Sequence, residues 1–114
     1  MFNLNSKKFI AIENNKGLSS NETIFRYYQN DKIITGSYKG GAIFKGTIVG
    51  KQTGSNTIEL LFQCITDNGE LKSGESKGTI TKDSSGKLQL RFVWTWLNGD
   101  QTGGTSEYIE LIDE

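Results

Sequence analysis

Trp94 and Trp96 stand two residues apart, and on an extended strand that spacing puts both indoles on one face, beside Phe92. The trio forms an apolar wall carrying two N–H donors, suited either to stacking on a ring-bearing ligand or to filling a core. Tyr27 and Tyr38 can bring hydroxyls to the same interior, with Ser76 and Thr35 as further small polar groups. An apolar lining with a few such polar atoms is what fixes a ligand in a pocket. The plain alternative places the tyrosines at a barrel mouth with wet hydroxyls. Glu107 falls on an inward register if Ile109 and Leu111 face the core, and a carboxylate buried there would need Arg26 or another cation. If the last strand begins at Tyr108, Glu107 lies in solvent instead.

The remaining reactive types offer less. Glu75 and Lys77 sit two apart on one outward face, where an exposed ion pair explains them. Asp100 belongs to a Gly-rich loop and suits turn hydrogen bonds. Cys64 lies among apolar neighbours and reads as an inert core thiol. The chain has no His, which removes Ser–His and Cys–His nucleophile systems from a single chain. One cysteine excludes an internal disulfide and cannot supply the thiolates of a structural zinc site. Gly40-Gly41 and Gly103-Gly104 lack the pattern of a phosphate loop. No catalytic residue, metal or cofactor is expected.

Thirteen basic residues balance thirteen acidic ones, so no net field recruits nucleic acid or an anionic membrane. No apolar run approaches the roughly 20 residues of a spanning helix. The first residues, Met1 to Lys8, lack the basic-then-apolar order of a secretory signal. A cytoplasmic protein is the expectation.

These side chains must be positioned by strands. Turn-forming clusters stand at Asn14–Asn21, Asn30-Asp31, Lys39–Gly41, Thr53–Asn56, Asp67–Gly69, Asp83–Gly86 and Asn98–Gly104. Between them lie eight segments rich in β-branched and aromatic residues. The gaps are too short for helical crossovers, so successive strands should be antiparallel neighbours. Eight strands is about the number that closes around a small interior. The spacing predicts one domain over residues 1–114, an all-β, eight-stranded antiparallel up-and-down barrel. A two-sheet sandwich is the rival.

Alternation assigns the faces. Leu88, Leu90, Phe92, Trp94 and Trp96 point inward, against Gln89, Arg91 and Thr95. Ile58, Leu60, Phe62 and Cys64 do so in the fifth strand, and Ala42, Phe44, Gly46 and Ile48 in the fourth. The sixth is nearly bare inside, with Gly74, Ser76, Gly78 and Ile80. Such small residues either let bulky neighbours cross the barrel or leave space for a ligand. The second strand is ambiguous, since Ile24/Arg26/Tyr28 and Phe25/Tyr27 both carry large residues.

Several islands of sequence resemble one group of small bacterial proteins. They are Thr23-Ile24-Phe25-Arg26-Tyr27; Gly36-x-Tyr38-x-Gly40-Gly41 with Gly46 and Gly50; Gly69-Glu70-Leu71 with Gly74; and Trp94-x-Trp96 with Gly99-Asp100 and Gly104. Members often carry the label N-acetylglutamate synthase, and the resemblance implies an avidin-like or lipocalin-like barrel. It carries over no catalytic or binding residue. Acetyl transfer from coenzyme A would ask for a phosphate site, and the sequence offers neither a basic cluster nor a Gly-rich helix start.

The reading that results is a small non-catalytic binding protein holding a hydrophobic or aromatic small molecule. The expected lining is Tyr27, Tyr38, Phe44, Phe62, Ser76, Phe92, Trp94 and Trp96. The alternative is a solid barrel acting as a protein-interaction or dimerisation module. Its homodimer or partner surface would use Leu61, Ile65, Val93 and Leu97 on the outward register.

Overall fold

The intervals between turn clusters are strands in the computed structural model, which describes residues 2–14, 20, 22–99 and 101–112. In chain order they are β1 (Lys7–Asn14), β2 (Ile24–Asn30), β3 (Ile33–Gly40), β4 (Ile43–Gln52), β5 (Thr57–Thr66), β6 (Leu71–Lys82), β7 (Leu88–Trp96) and β8 (Gly103–Leu111). No described residue is helical. Turn chemistry explains the short connections. Asp31 and Gly41 adopt φ of 57° and 62° at the β2–β3 and β3–β4 reversals, the left-handed region that Asp and Gly enter at least cost.

Each strand pairs antiparallel with the next, and β1 pairs antiparallel with β8, so the sheet is a closed up-and-down barrel. Closure removes the free edges that an open sandwich would leave. The β1–β8 ladder runs from Lys8↔Leu111 to Asn14↔Ser106, with an irregularity between Ala11 and Glu13.

The inward faces of β5, β6 and β7 follow the expected alternation. In β2 the ambiguity resolves toward Phe25 and Tyr27, which are buried, while Arg26 and Tyr28 are exposed. The bare face of β6 proves to be a set of notches for rings. A methyl built on Gly74 would overlap the Phe62 ring, one on Gly78 the Phe92 ring, and one on Gly46 of β4 the Tyr38 ring. Small residues therefore let aromatic neighbours lie across the interior, the first of the two expectations for this strand.

Two registers depart from simple alternation. Phe44 was expected inside, but it is 68% exposed and Ile43 takes the inward place at 3%. The cause is a bulge: Ile43 pairs with Thr66 and Lys45 with Ile65, leaving Phe44 as the extra residue. Alternation carried back from Ile48 and Gly46 fails at that point, and Ala42 is likewise exposed. In β8 the inward residues are Ser106, Tyr108 and Glu110, not Glu107, Ile109 and Leu111. Glu107 lies on the outer side opposite Arg91, whose Nη2 is 2.6 Å from its Oε1. Thr35 also faces outward, because Ile34 and Tyr38 fix the inner register of β3.

One end of the barrel is sealed. Leu4 is fully buried, and its N–H donates to Gln29 Oε1 at 2.9 Å while the Gln29 N–H donates to Asn5 Oδ1 at 3.1 Å. Gln29 Nε2 donates to Gln52 Oε1 at 2.8 Å, and Gln52 Nε2 to Gly54 O at 2.9 Å. These bonds pair the side-chain amides that turn inward here, as buried polar groups require, and among the described residues no buried side-chain N or O is left without a partner. Glu110 completes the seal, accepting from the Leu88 N–H and from Lys7 Nζ, each at 3.0 Å.

Candidate functional site

The opposite end, where β2, β4, β6 and β8 begin, opens among the described residues into a recess of about 60 Å³. It is lined by seven of the eight residues expected there: Tyr27, Tyr38, Phe62, Ser76, Phe92, Trp94 and Trp96. Phe44 is the exception, on the outer surface for the reason given above. The lining also includes Phe25, Ile43, Ile48, Leu60, Cys64, Ser106 and Tyr108. Ser106 and Tyr108 were missed because the apolar pair Ile109/Leu111 pointed to the wrong face of β8. Their signal was the even-numbered face of β7, which the ladder sets opposite them as Phe92↔Ser106 and Leu90↔Tyr108.

The rings form two connected groups. In one, Phe25 stacks on Tyr38 at 4.9 Å, and Tyr108 meets both Phe25 and Phe92 edge-on at 4.8 and 5.7 Å. In the other, Trp96 contacts Trp94 at 5.3 Å and Phe62 at 5.6 Å, again edge-on. Edge-to-face contacts suit the positive rim and negative face of an aromatic ring, so both groups hold their shape. The Trp94 indole N–H donates to Ser106 Oγ at 2.8 Å, which fixes that ring across β7 and β8.

Among the described residues, the side chains that line the recess are neutral. Burial pushes the Tyr27 hydroxyl well above the ordinary tyrosine range, with a smaller contribution from Tyr108. Tyr38 is raised in the same way, by burial first and then by Cys64, to which its hydroxyl donates. Both phenols are hydrogen-bond donors throughout the physiological range. Burial raises the Cys64 thiol too, against the Tyr38 hydrogen bond and the Lys72 charge, which lower it. With Cys64 only 5% exposed, an aromatic disulfide reagent at pH 8 is expected to leave the folded protein essentially unlabelled. It should then modify the single thiol promptly in guanidinium. Fast labelling of the folded state would mean that the recess opens widely.

No carboxylate among the described residues lines the recess. Among the described residues, no group of three or more Cys, Asp or Glu side chains is placed to hold a metal. The charged residues singled out in the sequence lie elsewhere. Lys77 sits outside with its Nζ 3.8 Å from Glu59, and Glu75 is exposed. Asp100 lies outside the described residues.

The outer face was the other candidate. Leu61, Ile65, Val93 and Leu97 are exposed at 51, 36, 64 and 46%. Val49 pairs with Leu61, and Ile65 with Leu71, while Gln63, Ser73, Glu75 and Lys77 interrupt the apolar surface between them and β7. An open groove on this face is flanked by Val49, Leu61 and Val93.

The chain matches no curated protein and no solved structure. The family model described as avidin-like protein matches residues 2–111, a span that holds all eight strands of the closed barrel, and the chain therefore belongs to the avidin-like family.

Proposed function

We propose that this barrel is a non-catalytic carrier or receptor for a small ligand, which enters the open end with its apolar part leading. The observation that carries the reading is the asymmetry of the two ends. One is closed by Leu4 and a satisfied polar network. The other opens into aromatic rings with hydroxyls from Ser76, Ser106 and three tyrosines. Membership of the avidin-like family supports it, since such barrels typically bind small ligands. The volume restricts what fits. About 60 Å³ is far below the ~300 Å³ at which pockets for drug-sized molecules begin. The ligand is thus a short branched chain or a single ring, part of it remaining at the mouth beside Trp96 and Phe62.

Native mass spectrometry of protein purified from its own host tests this. A small molecule retained one per barrel and released on denaturation is the expected result. Trp96→Leu should weaken retention about tenfold, on the order of 1.4 kcal/mol of ring contact, with the barrel still folded. A bare mass from wild type and variant alike would overturn the proposal.

A second reading rests on the groove between Val49, Leu61 and Val93: that face would pair with a second copy of the chain. Sedimentation equilibrium decides it. A dimer that Leu61→Lys converts to monomer supports the reading, and a wild-type monomer at high concentration removes it.

A further inference from the structure

Lys72 is the second residue of β6, on the same face as Gly74, Ser76 and Gly78, so its side chain rises from the inner wall at the open rim. It is half-buried, and its Nζ sits over the Trp96 ring, 5.2 Å from the centroid. The ring face attracts the ammonium and holds it at the mouth rather than free in solvent.

No described carboxylate pairs with it. The nearest acidic residue in sequence, Glu70, is turned into its own hairpin, where Asn68 Nδ2 donates to its Oε1 at 3.4 Å. Among the described residues the recess below has no acidic lining, and Tyr27 and Tyr38 stay protonated there. Within that described set, the Lys72 ammonium is therefore a cation held beside a neutral, aromatic-walled recess.

Resting on the small-ligand reading above, we propose that Lys72 selects the ligand class: a small monoanionic acid, whose apolar group enters the recess and whose carboxylate pairs with the Lys72 ammonium at the rim. An amine of the same shape would meet an uncompensated like charge. A neutral amide would gain only the apolar contact. A charge-assisted hydrogen bond at a half-buried site is the stronger kind, and it sets the acid above the amide by about tenfold.

The test uses two matched series, isovalerate with isovaleramide and isoamylamine, and phenylacetate with phenylacetamide and phenethylamine. Binding is followed by the two indole N–H signals of ¹⁵N-labelled protein, the chain having two tryptophans, with Trp94→Phe assigning them. In wild type the acids should shift the indoles at concentrations about tenfold lower than the amides, with the amines weakest. Lys72→Met should abolish the difference between acid and amide while leaving amide binding in place, and Lys72→Arg should keep it. Raised salt should weaken the acids alone. Equal binding of acid and amide in wild type, or an acid preference that survives Lys72→Met, would overturn the role of Lys72 and leave the recess as a ligand site. If no member of either series moves an indole signal, the small-ligand reading fails and this proposal with it.

Discussion

Gly78→Ala is expected to destabilise the barrel by about 3 kcal/mol, at the upper end of what overpacking a filled core costs. The added methyl would overlap the Phe92 ring and press on the Arg91 carbonyl oxygen, 3.1 Å away. The carbonyl belongs to the β6–β7 ladder and cannot move without breaking it. The ring has little room either, since Tyr108 meets it at 5.7 Å and Phe92 is 4% exposed. Urea denaturation measures the loss. Phe92→Leu shortens the opposing side chain, so the double variant should be at least 1 kcal/mol more stable than the sum of the two single losses requires. Coupling of that size is ordinary for residues in contact. Gly74→Ala supplies the contrast in the ring alone: a carbonyl oxygen, that of Thr95, lies 3.0 Å from its methyl as well, but the ring it meets is Phe62, which is only half-buried at the mouth and can swing outward, so the loss should be smaller. Equal losses at both positions would mean that the carbonyl contacts set the cost, and strict additivity with Phe92→Leu that Gly78 is not a ring notch.

Why some of this was legible and some was not follows from how each signal arises. The faces of β5, β6 and β7 could be read because each strand runs without a bulge and pairs on both sides with strands of matching pattern. In β7, five large apolar residues at period two leave no second interpretation. Phe44 shows the opposite case. One extra residue at the start of β4 reverses the alternation, and nothing in Ile43-Phe44-Lys45 distinguishes a bulged pairing from a regular one, since both Ile and Phe suit a core. In β8, Ile109 and Leu111 are apolar without being inside. Ile109 is half-covered beside Ile10 of β1, so their hydrophobicity reflects strand-to-strand contact on the outer wall. Leu4 was silent because its burial depends on Gln29 and Asn5 bending the chain beneath the barrel, a long-range contact that no local pattern encodes. The recess itself sits at the limit of sequence reading. Its lining types were identifiable, but its volume depends on how Phe62, Trp94 and Trp96 tilt against one another.

Glu110 makes the second large prediction, and its sign is set by competing effects. Burial pushes its carboxyl up, but the Leu88 N–H, the hydrogen bond and charge of Lys7, and the charge of Lys82 together outweigh burial and hold it below its ordinary value. A carboxylate depressed in the folded state stabilises that state above the unfolded value, here 4.5, and the contribution fades as pH falls through the lower folded value. Glu110→Ala should cost about 3 kcal/mol at pH 7, because it strands a buried Leu88 N–H and removes the partner of Lys7. Glu110→Gln separates the two causes. Its amide oxygen can still accept from Leu88, so it should cost only about 1 kcal/mol, Lys7 being 34% exposed and its pairing screened accordingly. Stability measured in urea from pH 7 to pH 3 should then show wild type falling below pH 4.5 and converging on Glu110→Gln. Asp83, also held below its ordinary range by its bonds to Ser85 and Lys87, titrates in both proteins and cancels from the difference. Parallel curves would mean that the ion pair contributes nothing and that the Leu88 hydrogen bond alone closes this end. Because Glu110 lies at the sealed end, away from the recess, Glu110→Gln should leave the proposed ligand binding unchanged at pH 7. Loss of ligand without loss of fold would show that the two ends of the barrel are coupled through its core.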